Sequence, residues 1–65
     1  MIRINGKKVV VQPDETVAGL LQREGYDLRR VAVERNGWIV PRASYAEVPV
    51  MEDDVYEVVS FVGGG

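Results

Sequence analysis

The sequence contains no cysteine and no histidine. Without cysteine there is no disulfide framework, no thiol nucleophile and no thiolate ligand for a metal. Without histidine, the commonest general base and the commonest metal ligand are both missing. Ser-His and Cys-His catalysis are excluded, and a zinc site lacks its usual ligands. The two serines, Ser44 and Ser60, have no basic neighbour in sequence that would activate them. These absences argue against an autonomous enzyme, and we expect no metal and no bound cofactor. No apolar run approaches the length that crosses a bilayer, so no membrane role is expected. Lys and Arg number 8 against 10 Asp and Glu, a net charge of −2, which argues against a nucleic-acid binder with its clustered basic face. Met1 is followed by mixed residues, not by a charged head and an apolar core, and the expected location is the cytoplasm.

What remains is a chain of 65 residues, 46% of them hydrophobic. That is enough apolar material for one small globular domain and too much for a disordered one. Residues 1–12 read as a β-hairpin. Ile2 and Ile4 alternate with Arg3, Asn5-Gly6 supplies a two-residue turn, and residues 9–11 form the return strand. Asn-Gly suits a type I′ turn, which needs positive φ at both central positions. This spacing sets Ile2 opposite Val9, with Val11 on the same face. "PDETVAGLLQREGY" reads as one helix. Thr16 is its N-cap, with Asp14 and Glu15 beside the positive end of the dipole. Val17, Leu20 and Leu21 form a single apolar stripe, and Gly25 ends the helix at C′. Gly19, inside the helix, is expected to mark a close approach of helix and sheet.

"VAVERNGWIVPR" reads as a second hairpin. Val31 and Val33 share a face, Asn36-Gly37 makes the turn, residues 38–40 return, and Pro41 ends the strand. Trp38 is expected to cap the sheet edge. A short helical turn is expected over residues 44–46. The Glu52-Asp53-Asp54 run reads as a solvated turn, since it lacks the rest of a calcium loop. Residues 55–62 form the last strand, and Tyr45 and Tyr56 are read as packing residues. The order β-β-α-β-β-β gives an α+β fold with one principal helix on a mixed sheet. With the N-terminal hairpin and the last strand central and parallel, this is the β-grasp arrangement. Residues 1–62 are assigned to the domain and 63–65 to a flexible glycine tail.

In the last strand, Tyr56 and Val58 are assigned to the core face, because Glu57 marks the opposite face as wet. Val59 and Phe61 then stand exposed just before the tail, an apolar pair placed for partner docking. The free carboxylate of Gly65 follows three residues without side chains, which span at most about 10 Å when extended. Either that tail is unimportant, or Gly63 and Gly64 let it thread into another protein's narrow site, where a branched residue at Gly64 or Gly65 would collide. Arg42 is read either as an anion or partner contact or as a plain solvated residue.

Several of these motifs converge on one family. Asn5-Gly6, Thr16-Val17 with Leu20-Leu21, Asn36-Gly37, Val40-Pro41-Arg42, Tyr45, Asp54, Glu57-Val58-Val59, Phe61-Val62 and the three terminal glycines together resemble the sulfur-carrier proteins of thiamine biosynthesis. Those are ubiquitin-like β-grasp domains, and the resemblance covers the whole chain. One departure is Asp53, where the family often carries Gly before Asp54; it bears on the geometry of that turn.

The resemblance implies that the carboxylate of Gly65 is adenylated by a ubiquitin-activating-type adenylyltransferase that uses ATP. Sulfur from a donor protein then displaces AMP to leave a C-terminal thiocarboxylate, and thiazole synthase receives that sulfur. The chain would be a co-substrate of these partners and not itself an enzyme. A carrier serving molybdopterin or another sulfur-containing product, and a noncovalent β-grasp interaction module with an inert tail, are the alternatives.

Overall fold

The computed structural model describes residues 1–61. The elements in chain order are β1 (Ile2–Ile4), β2 (Lys7–Val9), α1 (Val17–Arg23), a 3-10 turn at Leu28–Arg30, β3 (Val31–Arg35), β4 (Trp38–Val40), a 3-10 turn at Arg42–Ser44, and β5 (Val55–Ser60). They build one five-stranded sheet in the order β2-β1-β5-β3-β4. β1 and β5 run parallel at its centre, and the other pairs are antiparallel. The expected β-grasp order and mixed sheet are both present.

Both hairpins close as their Asn-Gly dipeptides dictate. Asn5 and Gly6 have φ of 50° and 83°, and Asn36 and Gly37 have 52° and 86°. That is the doubly positive pattern of a type I′ turn, whose twist matches the flanking strands. Ile2 pairs with Val9 as the spacing predicted. The return strand, however, is Lys7–Val9 and not residues 9–11. In this register β1 offers Val10 only Met1, whose carbonyl already accepts the Asp53 N–H at 3.0 Å. Val10 is exposed, and Val11 leaves the ladder to pack half-buried against the core.

α1 starts at Thr16, whose Oγ1 accepts the Gly19 N–H at 3.2 Å. It stops at a Schellman motif. The Tyr26 N–H donates to the Leu21 carbonyl at 2.9 Å, the Gly25 N–H to the Gln22 carbonyl at 3.1 Å, and Gly25 takes φ of 88°. Gly19 is not a point of close approach to the sheet. A Cβ there would meet only the side chains of Glu15 and Thr16, each at 3.7 Å, within its own helix turn. The reason for glycine at that position is not sheet packing.

Val17, Leu20 and Leu21 are fully buried and face Ile2, Ile4, Val31, Val33, Tyr56 and Val58 on one side of the sheet. Each such side chain, fully buried, contributes about 1.5–3 kcal/mol. Tyr45 and Val50 close the core from the long loop, and the Tyr45 hydroxyl donates to the Val31 carbonyl at 3.3 Å. The helical turn expected over residues 44–46 lies earlier, at Arg42–Ser44. Pro41, with φ of −61°, is preset to start it, and its carbonyl accepts the Ser44 N–H at 2.9 Å. The 3-10 turn at Leu28–Arg30, capped by the Asp27 carboxylate on the Arg29 N–H at 2.9 Å, had no periodic signal in the sequence. Among the described residues no helix is long and apolar enough to cross a membrane.

Candidate functional site

β5 carries the residues expected to dock a partner, and its position follows from the topology. It is the middle strand of five, paired to β1 on one side and β3 on the other. It ends at Ser60, two residues short of the expected 55–62. Phe61 lies outside the strand but still donates its N–H to the Arg30 carbonyl at 2.7 Å. Val62 and the glycines 63–65, assigned to tail threading and covalent modification, lie outside the described residues, as does the boundary between domain and tail.

Alternation along β5 sorts its side chains as expected. Tyr56 and Val58 are 0% and 6% exposed, under α1; Val59 and Phe61 are 60% and 53% exposed, on the open side. The open face is banded across the strands. Lys8, Arg3 and Val55 form one row, Ile39, Glu34 and Glu57 the next, and Ala32 and Val59 the third. Trp38 does not cap the sheet: it is 79% exposed on edge strand β4, beside Ile39 at 78%. Arg35 separates Trp38 from the buried Tyr56 in the same register row, so Trp38 stands at the outer end of that row, on the edge strand. Arg42 is exposed and makes no ion pair among the described residues.

Two asparagines hold β5 in place. The Asn5 amide donates from Nδ2 to the Val58 carbonyl at 3.0 Å and accepts the Val58 N–H at Oδ1 at 2.9 Å. Asn36 Oδ1 accepts the Val55 N–H at 2.9 Å, while the Asn36 N–H donates to the Val55 carbonyl at 2.7 Å. Each turn residue thus extends the ladder of the strand beside it. The sequence marks both positions as turns, and only an asparagine side chain at a turn, with donor and acceptor together, hints at this second role.

The start of β5 is fixed by Asp54, and here the expected solvated acidic turn is wrong. Glu52 and Asp53 are exposed, but Asp54 is 4% exposed. Its Oδ2 accepts from Arg35 Nε at 2.8 Å, from the Met51 N–H at 2.9 Å and from the Tyr56 hydroxyl at 2.9 Å; Oδ1 accepts from Asn36 Nδ2 at 3.0 Å. Burial pushes the Asp54 carboxyl up, but the combined donors, Arg35 foremost, hold it below the ordinary value of 3.8. The same burial, with the adjoining carboxylate, pushes the Tyr56 phenol well above its ordinary value. Asp53 has φ of 68°. The backbone there is in the left-handed region that glycine occupies at least cost, and an aspartate tolerates it.

On the outer side of α1, Arg23 makes a two-pronged pair with Glu15, Nε to Oε2 at 2.5 Å and Nη2 to Oε1 at 2.9 Å, and also donates to the Val10 carbonyl. The Arg23 hydrogen bond holds the Glu15 carboxyl below its usual range. This cluster ties the chain after β2 to the helix.

One helix across a five-stranded mixed sheet, with the first and last strands parallel at the centre, defines a ubiquitin-like β-grasp domain. The ThiS family model matches residues 2–65. The chain belongs to the ThiS family. It is 41% identical over 66 residues to the sulfur carrier protein ThiS of Bacillus subtilis, covering all of both chains. It is 50% identical over 62 residues to the thiazole synthase of Paramagnetospirillum magneticum, covering 95% of this chain and 19% of that protein. It is 44% identical over 64 residues to the thiazole synthase of Magnetococcus marinus, covering 98% of this chain and 20% of that one. The chain therefore spans about a fifth of the length of these two synthases. Its fold is similar to the crystal structure of the thiamine biosynthesis protein (ThiS) from Geobacter metallireducens, with a TM-score of 0.76 at 31% identity, covering 98% of this chain and 97% of that one. The solution structure of a thiamine biosynthesis protein from the same organism gives 0.74, also at 31% identity, covering 98% and 86%.

Proposed function

We propose that this chain is a sulfur carrier of thiamine biosynthesis, loaded at the carboxylate of Gly65. The observation that carries this reading is a family match that runs through the last glycine, joined to full-length similarity with the carrier of Bacillus subtilis. A carboxylate is a poor electrophile, because its oxygen leaves badly. An ATP-dependent adenylyltransferase remedies this: the Gly65 oxygen attacks the α-phosphorus, pyrophosphate leaves, and the terminus becomes an acyl-adenylate. Sulfide-level sulfur released from the donor protein then adds to the carbonyl carbon, AMP leaves with the electron pair of the C–O bond, and a thiocarboxylate remains. Thiazole synthase receives that sulfur.

The chain's own part in this chemistry is presentation. It offers a terminus without side chains, a rigid strand that leads to it, and the exposed pair Val59 and Phe61 as the grip for the partner. The catalytic groups belong to the partners, in keeping with a chain that has neither Cys nor His. The alignment of this chain with about a fifth of two thiazole synthases supports that synthase as the receiving partner.

Intact-mass measurement after incubation with the cognate adenylyltransferase, ATP and a sulfur source tests the reading. The full chain gains the mass of one sulfur in exchange for one oxygen. The chain lacking Gly65 gains nothing, while its melting temperature stays as it was. Sulfur on the terminus of the truncated chain would show that Gly65 is not the site.

A further inference from the structure

The register of β3 and β5 runs from Arg35 and Tyr56 to Val31 and Ser60, so the next pair toward the tail is Arg30 and Phe61. An antiparallel pair at this step of the alternation exchanges two backbone bonds. Here one is made, from the Phe61 N–H to the Arg30 carbonyl at 2.7 Å. The Arg30 N–H, which would return to the Phe61 carbonyl, donates instead to the Asp27 carbonyl at 2.9 Å and closes the 3-10 turn Leu28–Arg30. The Asp27 carboxylate holds the same turn: its Oδ1 accepts the Arg29 N–H at 2.9 Å. At the other end of the ladder Asn36 and Val55 exchange both bonds, one of them through the Asn36 side chain. Against β3, the last strand is therefore tied twice where it begins and once where it ends.

We infer that Asp27 is a positioning residue for the C-terminal tail. By capping the 3-10 turn it holds the Arg30 carbonyl in place as the last acceptor for β5, and by keeping the Arg30 N–H inside the turn it withholds the second bond. The chain is thus anchored at the Phe61 N–H and released from β3 at the Phe61 carbonyl. The consequence for sulfur loading rests on the carrier reading above. Four residues follow Phe61, and fully extended they reach at most about 14 Å. The point where the sheet lets go therefore sets how far Gly65 reaches. By alternation the next pair bonded across the two strands is Ala32 and Val59. Loss of the Phe61 anchor lengthens the loose segment back toward Val59, and each added residue must be ordered when the terminus enters a narrow site. The ion pairs of Asp27 with Arg29 and Arg30 are exposed and contribute little, so the cap carries the role.

The test combines residue-resolved amide exchange and thermal melts of the free full chain with steady-state adenylation by the cognate adenylyltransferase, the carrier being the varied substrate. Asp27→Ala removes the cap. Exchange at the Arg30 and Phe61 amides then rises about fivefold relative to Val59, the factor that a lost cap supplies. The kcat/KM for the carrier falls about two- to fivefold, bounded by the same lost cap. Asp27→Asn loses the charge but keeps a capping oxygen, and returns both quantities to wild-type values. Thr16→Ala removes the cap of α1 instead and lowers the melting temperature at least as much as Asp27→Ala does. It leaves the ratio of Phe61 to Val59 exchange, and kcat/KM, as in wild type.

Exchange at Phe61 that keeps pace with Val59 in Asp27→Ala would show that the Arg30 carbonyl holds its place without the cap, and would overturn the proposal. A loosened Phe61 with wild-type kcat/KM would also overturn it, while leaving the carrier reading intact. Equal kinetic losses in Thr16→Ala would trace the effect to global stability, and an Asp27→Asn chain that behaves as Asp27→Ala would trace it to charge; either outcome removes the capping role. A wild-type chain that the enzyme never adenylates would remove the carrier reading, and the role of Asp27 in loading with it, whatever the exchange shows.

Discussion

The side-chain amide of Asn5 bonds both backbone groups of Val58, across 53 positions of sequence, at 2.9 and 3.0 Å. The turn of the first hairpin is thereby a clamp on the last strand, β5. Glycine at position 5 would keep the turn, because it takes positive φ freely, but would remove both bonds. Asn5→Gly is expected to cost about 1–3 kcal/mol, a range set by two hydrogen bonds to half-buried backbone groups. Urea unfolding of the variant measures the loss, and amide exchange at Val58 should rise with it. A variant as stable as wild type would show that the turn alone matters.

Asp54 gives the domain an acid limit. Its folded pKa lies below the ordinary 3.8, so the ionised form is bonded more strongly in the folded state than in the unfolded one. The stability this contributes is fully present above about pH 4 and is lost as pH falls through the depressed folded value. Glu15, held down by Arg23, acts in the same sense. Asp54→Asn is expected to lose about 2–4 kcal/mol at neutral pH, since Arg35 and the Tyr56 hydroxyl lose their charged acceptor. Its melting temperature should also fall less steeply than that of wild type between pH 5 and 2, a range fixed by where the carboxylate titrates. Melts across that range, run side by side, check both parts.

Gly19→Ala should stabilise the domain. The space is open, with contacts at 3.7 Å only, and alanine is favoured over glycine inside a helix by about 1 kcal/mol. A rise in melting temperature of about 4–8 °C corresponds to that gain in a domain of this size. A fall would mean that Thr16 or Glu15 cannot give way.

The two faces of β5 should separate folding from binding. Val58→Ala opens a cavity under α1 and is expected to cost about 2 kcal/mol of stability, with little effect on partner affinity once folded. Phe61→Ala removes a side chain that is 53% exposed, so its cost to folding is smaller. Its cost to adenylyltransferase binding should be tenfold to a hundredfold, about 1.5–3 kcal/mol of buried surface. Calorimetric titration and melts on both variants decide the matter. Unfolding by Phe61→Ala with normal binding at low temperature would place Phe61 in the core instead.

Local chemistry explains which parts of this fold can be read from sequence. Asn5-Gly6 and Asn36-Gly37 announce two-residue hairpins, because few other dipeptides adopt positive φ twice. Thr16, the Val17, Leu20 and Leu21 stripe, and Gly25 announce the helix with both its ends. Glu57 sorts the faces of β5 correctly. What escaped depends on partners far away in sequence. Asp54 looks like its two acidic neighbours until Arg35, 19 residues earlier, folds against it. Val10 and Val11 look like strand until the register leaves them unpaired. The opposition of Glu34 and Glu57 exists only once β5 has been placed beside β3.

The parallel pairing of β1 and β5 gives the domain a mechanical polarity. Met1 sits by Asp53 at the end where β5 begins, and Phe61 lies at the other end, about 20 Å along a six-residue strand. A linker, a surface anchor or a fused protein attached at Met1 therefore holds the domain from behind and leaves the Phe61 end unobstructed. Tension applied between those two ends would run along the strands, loading the bonds between β1 and β5, with the Asn5 clamp among them, in shear, so that they resist together and do not open one at a time.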